Sequence, residues 1–282
     1  MKYNEVLNVV KEDIERVLDN LTLDINIQDP LKSKLLQLLN APSKHIRPLV
    51  SFLYLKAIGS NIDENQILYQ SAIELVHNAS LIHDDVIDES KIRRNLQTLN
   101  NEFGNKLAVI CGDYLLSQAL NRVIKIGRTE LIQMFSNTLE VMSQGEINQQ
   151  FCKFKIPTLE NYIEKSRKKT AKLFETSLCG SLLIANSNKN GSEFANNFGI
   201  AFQIRDDLIN FKTTKSDMND GIYTAPIILS KGVRVKDDAI EKTRDLLDNY
   251  IDNAKNEIAF MENNKYKHAL VELLELLRDE QI

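Results

Sequence analysis

An all-α chain, with helices gathered around a central cavity, is the fold class this sequence predicts, and three observations carry it. Glycine and proline number only 10 and 5 in 282 residues and fall mostly between helical patterns; punctuation this sparse suits long helices. Apolar residues recur at steps of three and four over long stretches, with neither period-two alternation nor an Asn-Gly hairpin signal. Two apolar helical segments each end in a pair of aspartates, which suggests facing acidic rims of one pocket.

The elements follow in order. A first helix spans 2–18. Asp29 as N-cap and Pro30 at the first helical position open a second. Pro42 and Pro48 bracket a bend before a helix that runs to Ile58. The long helix that ends at Asp88 is defined by Leu68, Ala72, Leu75, Ala79, Ile82 and Val86 on one face. Helices at 105–126 and 129–150 are split at Gly127. Pro157 and Thr158 cap a helix that continues to Ala185, and a turn at 188–191 leads to a helix over 192–211. A polar loop at 212–221, a short segment at 223–230 and two amphipathic helices complete the chain. With no linker-like stretch, low-complexity segment or internal repeat, residues 1–282 read as one domain.

Composition bounds the function. An apolar fraction of 43% and a charged fraction of 26% are those of a globular protein. The net charge of −4, without a basic block, argues against a nucleic-acid partner. Cys111, Cys152 and Cys179 are odd in number and widely spaced, so they form neither a disulfide framework nor a metal knuckle and fit a reducing, cytoplasmic setting. Residues 1–20 lack the apolar core of a signal peptide, and no apolar run of about 20 residues predicts a membrane span.

The first acidic cluster is Asp84, Asp85 and Asp88. On a helix, Asp88 lies roughly 40° around from Asp84, one turn on. Among apolar neighbours, two such charges about 4 Å apart repel by about 4 kcal/mol at an effective dielectric near 20. A divalent cation relieves this; oxygen-only ligands, with His83 off the row, favour Mg²⁺ over zinc. The competing reading is a solvated acidic helix end. In the second cluster, Phe198, Phe202, Asp206 and Asn210 form one i, i+4 row, and Gln203 lies beside Asp206 and Asp207. An acidic pocket takes an anionic substrate through metal, and the basic residues suit such a substrate. Lys44 and Arg47 stand at a bend, Arg93 and Arg94 follow the first cluster, and Lys168, Lys169 and Thr170 lie between the two. His77 alone reads equally as an ordinary half-buried imidazole.

Taken in order, these motifs resemble the trans-polyprenyl diphosphate synthases, the all-α isoprenoid synthase family. The likeness runs over 44–226. Lys44-His45-Ile46-Arg47-Pro48 is similar to the family's G-K-x-x-R-P element, and 74–88 to its first aspartate-rich segment. Arg93-Arg94, Gly112-Asp113, Gly145-Glu146 with Gln149, Lys169-Thr170-Ala171 and Phe202-Gln203-Ile204-Arg205-Asp206-Asp207 follow in family order. The resemblance implies a head-to-tail prenyltransferase that adds isopentenyl diphosphate to an allylic prenyl diphosphate. It implies up to three Mg²⁺ ions, with Asp84, Asp88 and Asp206 as principal ligands and Asp85, Asp207 and Asn210 in support. Arg93, Lys169, Thr170 and Gln203 would hold the allylic diphosphate. Lys44, Arg47, His77 and Arg94 would hold isopentenyl diphosphate. Phe202, Gln203 and Thr170 would stabilise an allylic cation or shape its pocket.

Departures from the pattern are local. Pro42 and Ser43 replace glycines, Asn210 replaces the last acid, and Ile222 replaces a lysine of the G-K-x-T-L-P segment, for which Lys212 or Lys215 would compensate. Small residues at Ala79 and Ser80, with modest Val76 one turn earlier, predict an open tail pocket and a product longer than farnesyl, with hexaprenyl or heptaprenyl preferred. Self-association as a homodimer is implied, with a heterodimer as the alternative and the 105–126 helix as either interface or core. A partner-dependent or non-catalytic subunit is the competing function, and a terpene cyclase would not need the second set of cations.

Overall fold

The computed structural model describes residues 2–213, 221–230 and 237–279. Helices α1 (Tyr3–Asn8) and α2 (Lys11–Leu21) replace the single first helix, because the β-branched pair Val9-Val10 breaks the run and Val10 leaves helical geometry (φ −132°, ψ 25°). Helix α3 (Leu31–Leu39) begins one residue later than expected, with Pro30 as its N-cap and Asp29 accepting from the Ser33 amide and hydroxyl. Helix α4 (Ile46–Ala57) starts earlier than Pro48, which sits in the first turn where its missing N–H is harmless. Helix α5 (Glu64–Ile87) is capped by Asp63, whose side chain accepts from the Gln66 amide at 2.9 Å.

An unexpected element follows. Strands β1 (Ile92–Arg93) and β2 (Leu96–Gln97) form a two-residue hairpin. Arg94 and Asn95, with φ of 50° and 61°, supply the two left-handed positions that a tight hairpin turn needs. Glycine is absent from this turn, so it carries no ordinary hairpin signal.

Helices α6 (Leu99–Phe103), α7 (Asn105–Ile126), α8 (Thr129–Phe151) and α9 (Leu159–Ser166) come next. The helix expected to run unbroken to Ala185 is interrupted by a π-helical turn, Arg167–Ala171, before α10 (Lys172–Ile184). Such a turn rotates the side chains that follow it and is common at functional sites. Helices α11 (Ser192–Thr213), α12 (Ala225–Leu229), α13 (Asp237–Glu257) and α14 (Lys265–Arg278) complete the described chain.

Helix α5 is the axis. Its buried residues include Ala72, Leu75, Val76 and Ala79 in the cluster shared with α7, and Gln66, Tyr69 and Gln70 toward α10. Both amide nitrogens are satisfied there, while the Gln66 Oε1 is buried without a partner among the described residues. Gln66 donates to the Ser181 carbonyl at 2.8 Å, and Gln70 donates to the Ser181 hydroxyl at 2.8 Å and accepts from Ser177 at 2.8 Å. Buried polar groups with partners fix register where apolar contacts would slide. A second apolar cluster, containing Leu53, Phe174, Phe198, Ile204, Ile251 and Leu273, joins α4, α10, α11, α13 and α14. Gly199 lets α11 cross the π-turn: a Cβ there would lie 2.5 Å from the Ala171 Cα. That close crossing brings Lys169 and Thr170 beside the second acidic segment. No described helix is long and apolar enough to cross a membrane.

Candidate active site

The first acidic rim is the end of α5. The hairpin folds back on it, so Arg93 donates to Asp85 Oδ1 through Nε at 2.8 Å and Nη2 at 2.7 Å. Asn100 adds a bond to the Asp85 carbonyl at 3.0 Å. Asp85 is therefore buried and neutralised by protein, and it anchors the hairpin. Asp84 and Asp88 receive no hydrogen bond or ion pair from another side chain among the described residues. Burial pushes the Asp84 carboxyl up to about 6; Glu146 and Asp88 add to this, against Lys169 and Arg93. Burial raises Asp88 as well, opposed first by Lys169.

Lys169, carried by the π-turn, pairs with Glu146 of α8. Burial works against the lysine charge, but Asp84, Glu146 and Asp88 outweigh it and hold Lys169 above the usual lysine value. One cation thus stands among three carboxylates. Glu146 falls in a motif legible in the sequence but had no role assigned; its proximity to Lys169 depends on the pairing of α8 with the π-turn. Lys168, the neighbour in sequence, points elsewhere and pairs with Glu164 at 3.3 Å.

The second rim is on α11. Asp206 pairs with Arg205 at 2.8 Å. Burial raises its carboxyl, countered by Arg205, Lys44 and Arg47. Asp207 departs from the expected ligand role. It is buried, its Oδ2 accepts from the Tyr162 hydroxyl at 2.7 Å and the Ala225 amide at 3.1 Å, and its Oδ1 accepts from Gln203 at 2.8 Å. With both oxygens engaged by protein, Asp207 ties α9, α11 and α12 together. Gln203 in turn accepts from Thr170 at 2.6 Å, linking the two sides of the site. Asn210 is exposed one turn on. The Phe202 ring has the Arg205 guanidinium over one face, 4.5 Å from its centroid. Lys215 lies outside the described residues, as does the side chain of Lys212.

A basic rim closes the third side. Lys44 is exposed, and its carbonyl accepts from the Tyr3 hydroxyl. Arg47 lies 4.8 Å over the Phe174 ring, and burial brings its guanidinium down to about 10, against the pull of Glu74 and Asp206. Burial also lowers Arg94, with Arg93 adding and Glu74 opposing. His77 is driven well below the ordinary imidazole value by burial and then by Arg47, Arg94, Arg93 and His45, so it is neutral at pH 7. The basic rim therefore gathers Lys44, Arg47 and Arg94 around a neutral imidazole, while Lys169, Arg93 and Arg205 stand among the carboxylates of the acidic rims.

An open cavity of about 290 Å³ begins between Asp84 and Lys169 and runs past Ser80 to Val76, walled by Leu116, Leu139 and Met142. Ser80 and Val76 line it as expected. Ala79 does not: it is 0% exposed, packed in the cluster that joins α5 to α7. Among the described residues no three acid, imidazole or thiol groups converge as a ready-made metal cage. A metal here needs ligands from a substrate, which is how Mg²⁺ commonly joins one or two carboxylates to phosphate oxygens.

Known proteins resemble this chain in sequence and in fold. The model of the family described as polyprenyl synthetase matches residues 28–263. A prenyl transferase of Cyanidium caldarium is 32% identical, over 97% of each chain. A decaprenyl-diphosphate synthase of Dictyostelium discoideum is 31% identical over 80% of this chain, which spans 56% of that protein. Two crystal structures share the fold over nearly their full lengths. A decaprenyl diphosphate synthase from Rhodobacter capsulatus superposes with a TM-score of 0.89 at 22% identity, covering 99% of each chain. A heptaprenyl diphosphate synthase from Staphylococcus aureus gives 0.88 at 24%, covering 97% of this chain and 99% of its own.

The raised Asp84 value has a consequence for stability. Its folded value of about 6 exceeds the ordinary aspartate value of 3.8, so the native state holds the extra proton between these pH values and loses stability as pH rises through about 6. Asp84→Asn removes that loss. In metal-free buffer it is expected to raise Tm above pH 6 by about 2–4 °C, the shift that about 1 kcal/mol produces in a chain of this size once screening at a half-buried carboxylate is allowed for. The gain shrinks toward zero as pH falls to 4. Scanning calorimetry from pH 4 to 8 checks this; a gain independent of pH contradicts it.

Proposed function

Because this chain belongs to the polyprenyl synthetase family and is a prenyl-elongating enzyme, we propose that its two acidic rims clamp an allylic diphosphate while the basic rim presents isopentenyl diphosphate. The observation that carries this reading is Lys169 among Asp84, Asp88 and Glu146 at the mouth of an apolar cavity. Asp84, Asp88 and Asp206 offer oxygen donors suited to Mg²⁺, with exposed Asn210 as a weaker, uncharged addition. Bound Mg²⁺, up to three ions, supplies Lewis-acid charge that stabilises the departing diphosphate.

The protein's own groups do the rest. Lys169 and Thr170 hold oxygens of the allylic diphosphate, and Arg93 keeps donors beyond the two it gives Asp85. Gln203, oriented by Thr170 and Asp207, sits where its amide dipole can face a developing cation. Arg47, Arg94 and Lys44 hold the isopentenyl diphosphate, and neutral His77 contributes a hydrogen bond without adding charge. The allylic carbon–oxygen bond breaks, the isopentenyl double bond attacks the allylic carbon, and the released diphosphate takes the proton that restores a double bond. Apolar walls at Leu116, Leu139 and Met142 receive the tail and exclude water.

The product we propose is longer than farnesyl, with hexaprenyl or heptaprenyl preferred. Open lining at Ser80 and Val76 supports it, as do relatives whose names include decaprenyl, octaprenyl and solanesyl synthases. The assembly we propose is a homodimer through α7 and α8, which leave Ile110, Ile124 and Ile147 exposed at 60%, 48% and 54%.

Incubating the purified chain with Mg²⁺, farnesyl diphosphate and labelled isopentenyl diphosphate is expected to give one long terminal product. Ser80→Phe is expected to shorten it by at least one isoprene unit, and Asp84→Ala to lower the rate at least about a hundredfold. An unchanged product from Ser80→Phe, or activity retained in Asp84→Ala, contradicts the proposed arrangement. For the assembly, light scattering is expected to give twice the chain mass, falling to the monomer in Ile110→Glu. A monomeric native chain contradicts it.

A further inference from the structure

The basic rim rests on a carboxylate that the mechanism does not use. Glu74 lies on α5 three residues before His77 and is 1% exposed. Its Oε2 is 2.7 Å from His45 Nδ1, and its Oε1 makes no hydrogen bond among the described residues. Arg47 Nε is likewise buried without a partner. A buried, half-satisfied carboxylate is unfavourable unless surrounding charge compensates it. Here that charge is present: Glu74 favours the charged forms of both Arg47 and Arg94, which burial disfavours, with Arg94 acting against Arg47 and Arg93 against Arg94.

We infer that Glu74 is a positioning residue for the second substrate: a buried counter-anion that holds Arg47, Arg94 and the His45 turn in one arrangement for an incoming diphosphate. The inference rests on the reading of Arg47 and Arg94 as isopentenyl diphosphate ligands. Geometry favours a role in placement over one in packing. His45 sits in the left-handed region (φ 45°) at the start of α4, where any non-glycine residue is strained, and its bond to Glu74 holds it there. Lys44 and Arg47 flank that residue, and the Tyr3 hydroxyl ties the Lys44 carbonyl from the other side. The turn is thus held at two points, by Tyr3 outside and Glu74 inside. Helix α5 also carries Asp84 and Asp88, so one rigid element sets the distance between the two diphosphate sites. Glutamine at 74 keeps the shape and a hydrogen bond to His45 but removes the charge that offsets two guanidiniums.

The test separates binding from catalysis. Calorimetric titration with isopentenyl diphosphate in EDTA reads the basic rim without metal or turnover. Glu74→Gln is expected to weaken this binding at least about tenfold, as truncating a buried charge pair does. In steady state the same variant is expected to raise KM for isopentenyl diphosphate by a similar factor, with KM for farnesyl diphosphate unchanged within about twofold. Glu74→Asp, which keeps the charge, is expected to recover part of the loss. Equal binding by wild type and Glu74→Gln, or an equal rise in both KM values, overturns the inference. If Glu74→Gln does not fold, His45→Ala breaks the same pair from the turn. It is expected to weaken isopentenyl diphosphate binding at least about threefold, and unchanged binding overturns the inference. A wild-type chain that elongates farnesyl diphosphate but does not bind isopentenyl diphosphate in EDTA overturns the inference while leaving the elongation reading intact. A wild-type chain that binds in EDTA but does not elongate contradicts that reading instead.

Discussion

The arrangement depends on mutual repulsion among carboxylates at the mouth of an apolar cavity. Asp84, Asp88 and Glu146 face a single lysine, and burial raises both aspartates. Left alone, such a cluster favours protonation or separation. The fold permits neither separation nor full pairing: Asp84 and Asp88 are one turn apart on the same helix, and Lys169 is bonded to Glu146. The site is thus short of positive charge on its acidic walls and rich in it on the basic wall. Under the proposed function, a divalent metal with a diphosphate would satisfy both, because each would bring what the other wall lacks.

Holding this unfavourable arrangement falls to interactions away from it. Asp85 and Asp207 show how. Each is the second member of an aspartate pair, and each is consumed by protein donors: Arg93 for one; Tyr162, Gln203 and the Ala225 amide for the other. Of the first members, Asp84 is left at the cavity, and Asp206 stands beside the basic rim, paired with Arg205. Division of labour within each pair converts a helix end into a fixed wall with one carboxylate presented. The α5–α10 contact, with Gln66 and Gln70 bonded to Ser177 and Ser181, and the Gly199 crossing keep those walls at constant separation.

Much of this was legible in the sequence, and what was not has physical causes. The long helices, α5 among them, and the aspartates of both acidic rims follow from apolar periodicity and from aspartates at helix ends. Ser80 and Val76 were readable as cavity lining because they share the Asp84 face one and two turns back. Ala79 was misplaced because a step of one residue turns the side chain by roughly 100°, from cavity to the α7 contact. The hairpin at 92–97 was invisible because Arg94 and Asn95 adopt positive φ without glycine, held by Arg93 on Asp85. The π-turn at 167–171 carries no local signal either; α11 crosses it closely at Gly199, a contact distant in sequence. The protein partners of Asp207 and Glu74 were unreadable for the same reason: they come from α9, α12 and the His45 turn, which only the tertiary structure brings near.

The most direct test of the account is whether both acidic rims grip one diphosphate through metal. Calorimetric titration with an unreactive farnesyl thiodiphosphate, with and without Mg²⁺, measures the affinity that the metal adds. Wild type is expected to gain at least about tenfold from Mg²⁺, and both Asp84→Asn and Asp206→Asn are expected to lose that gain. If Asp206→Asn keeps the full gain, the two rims do not act on the same diphosphate, and the account of this site is wrong.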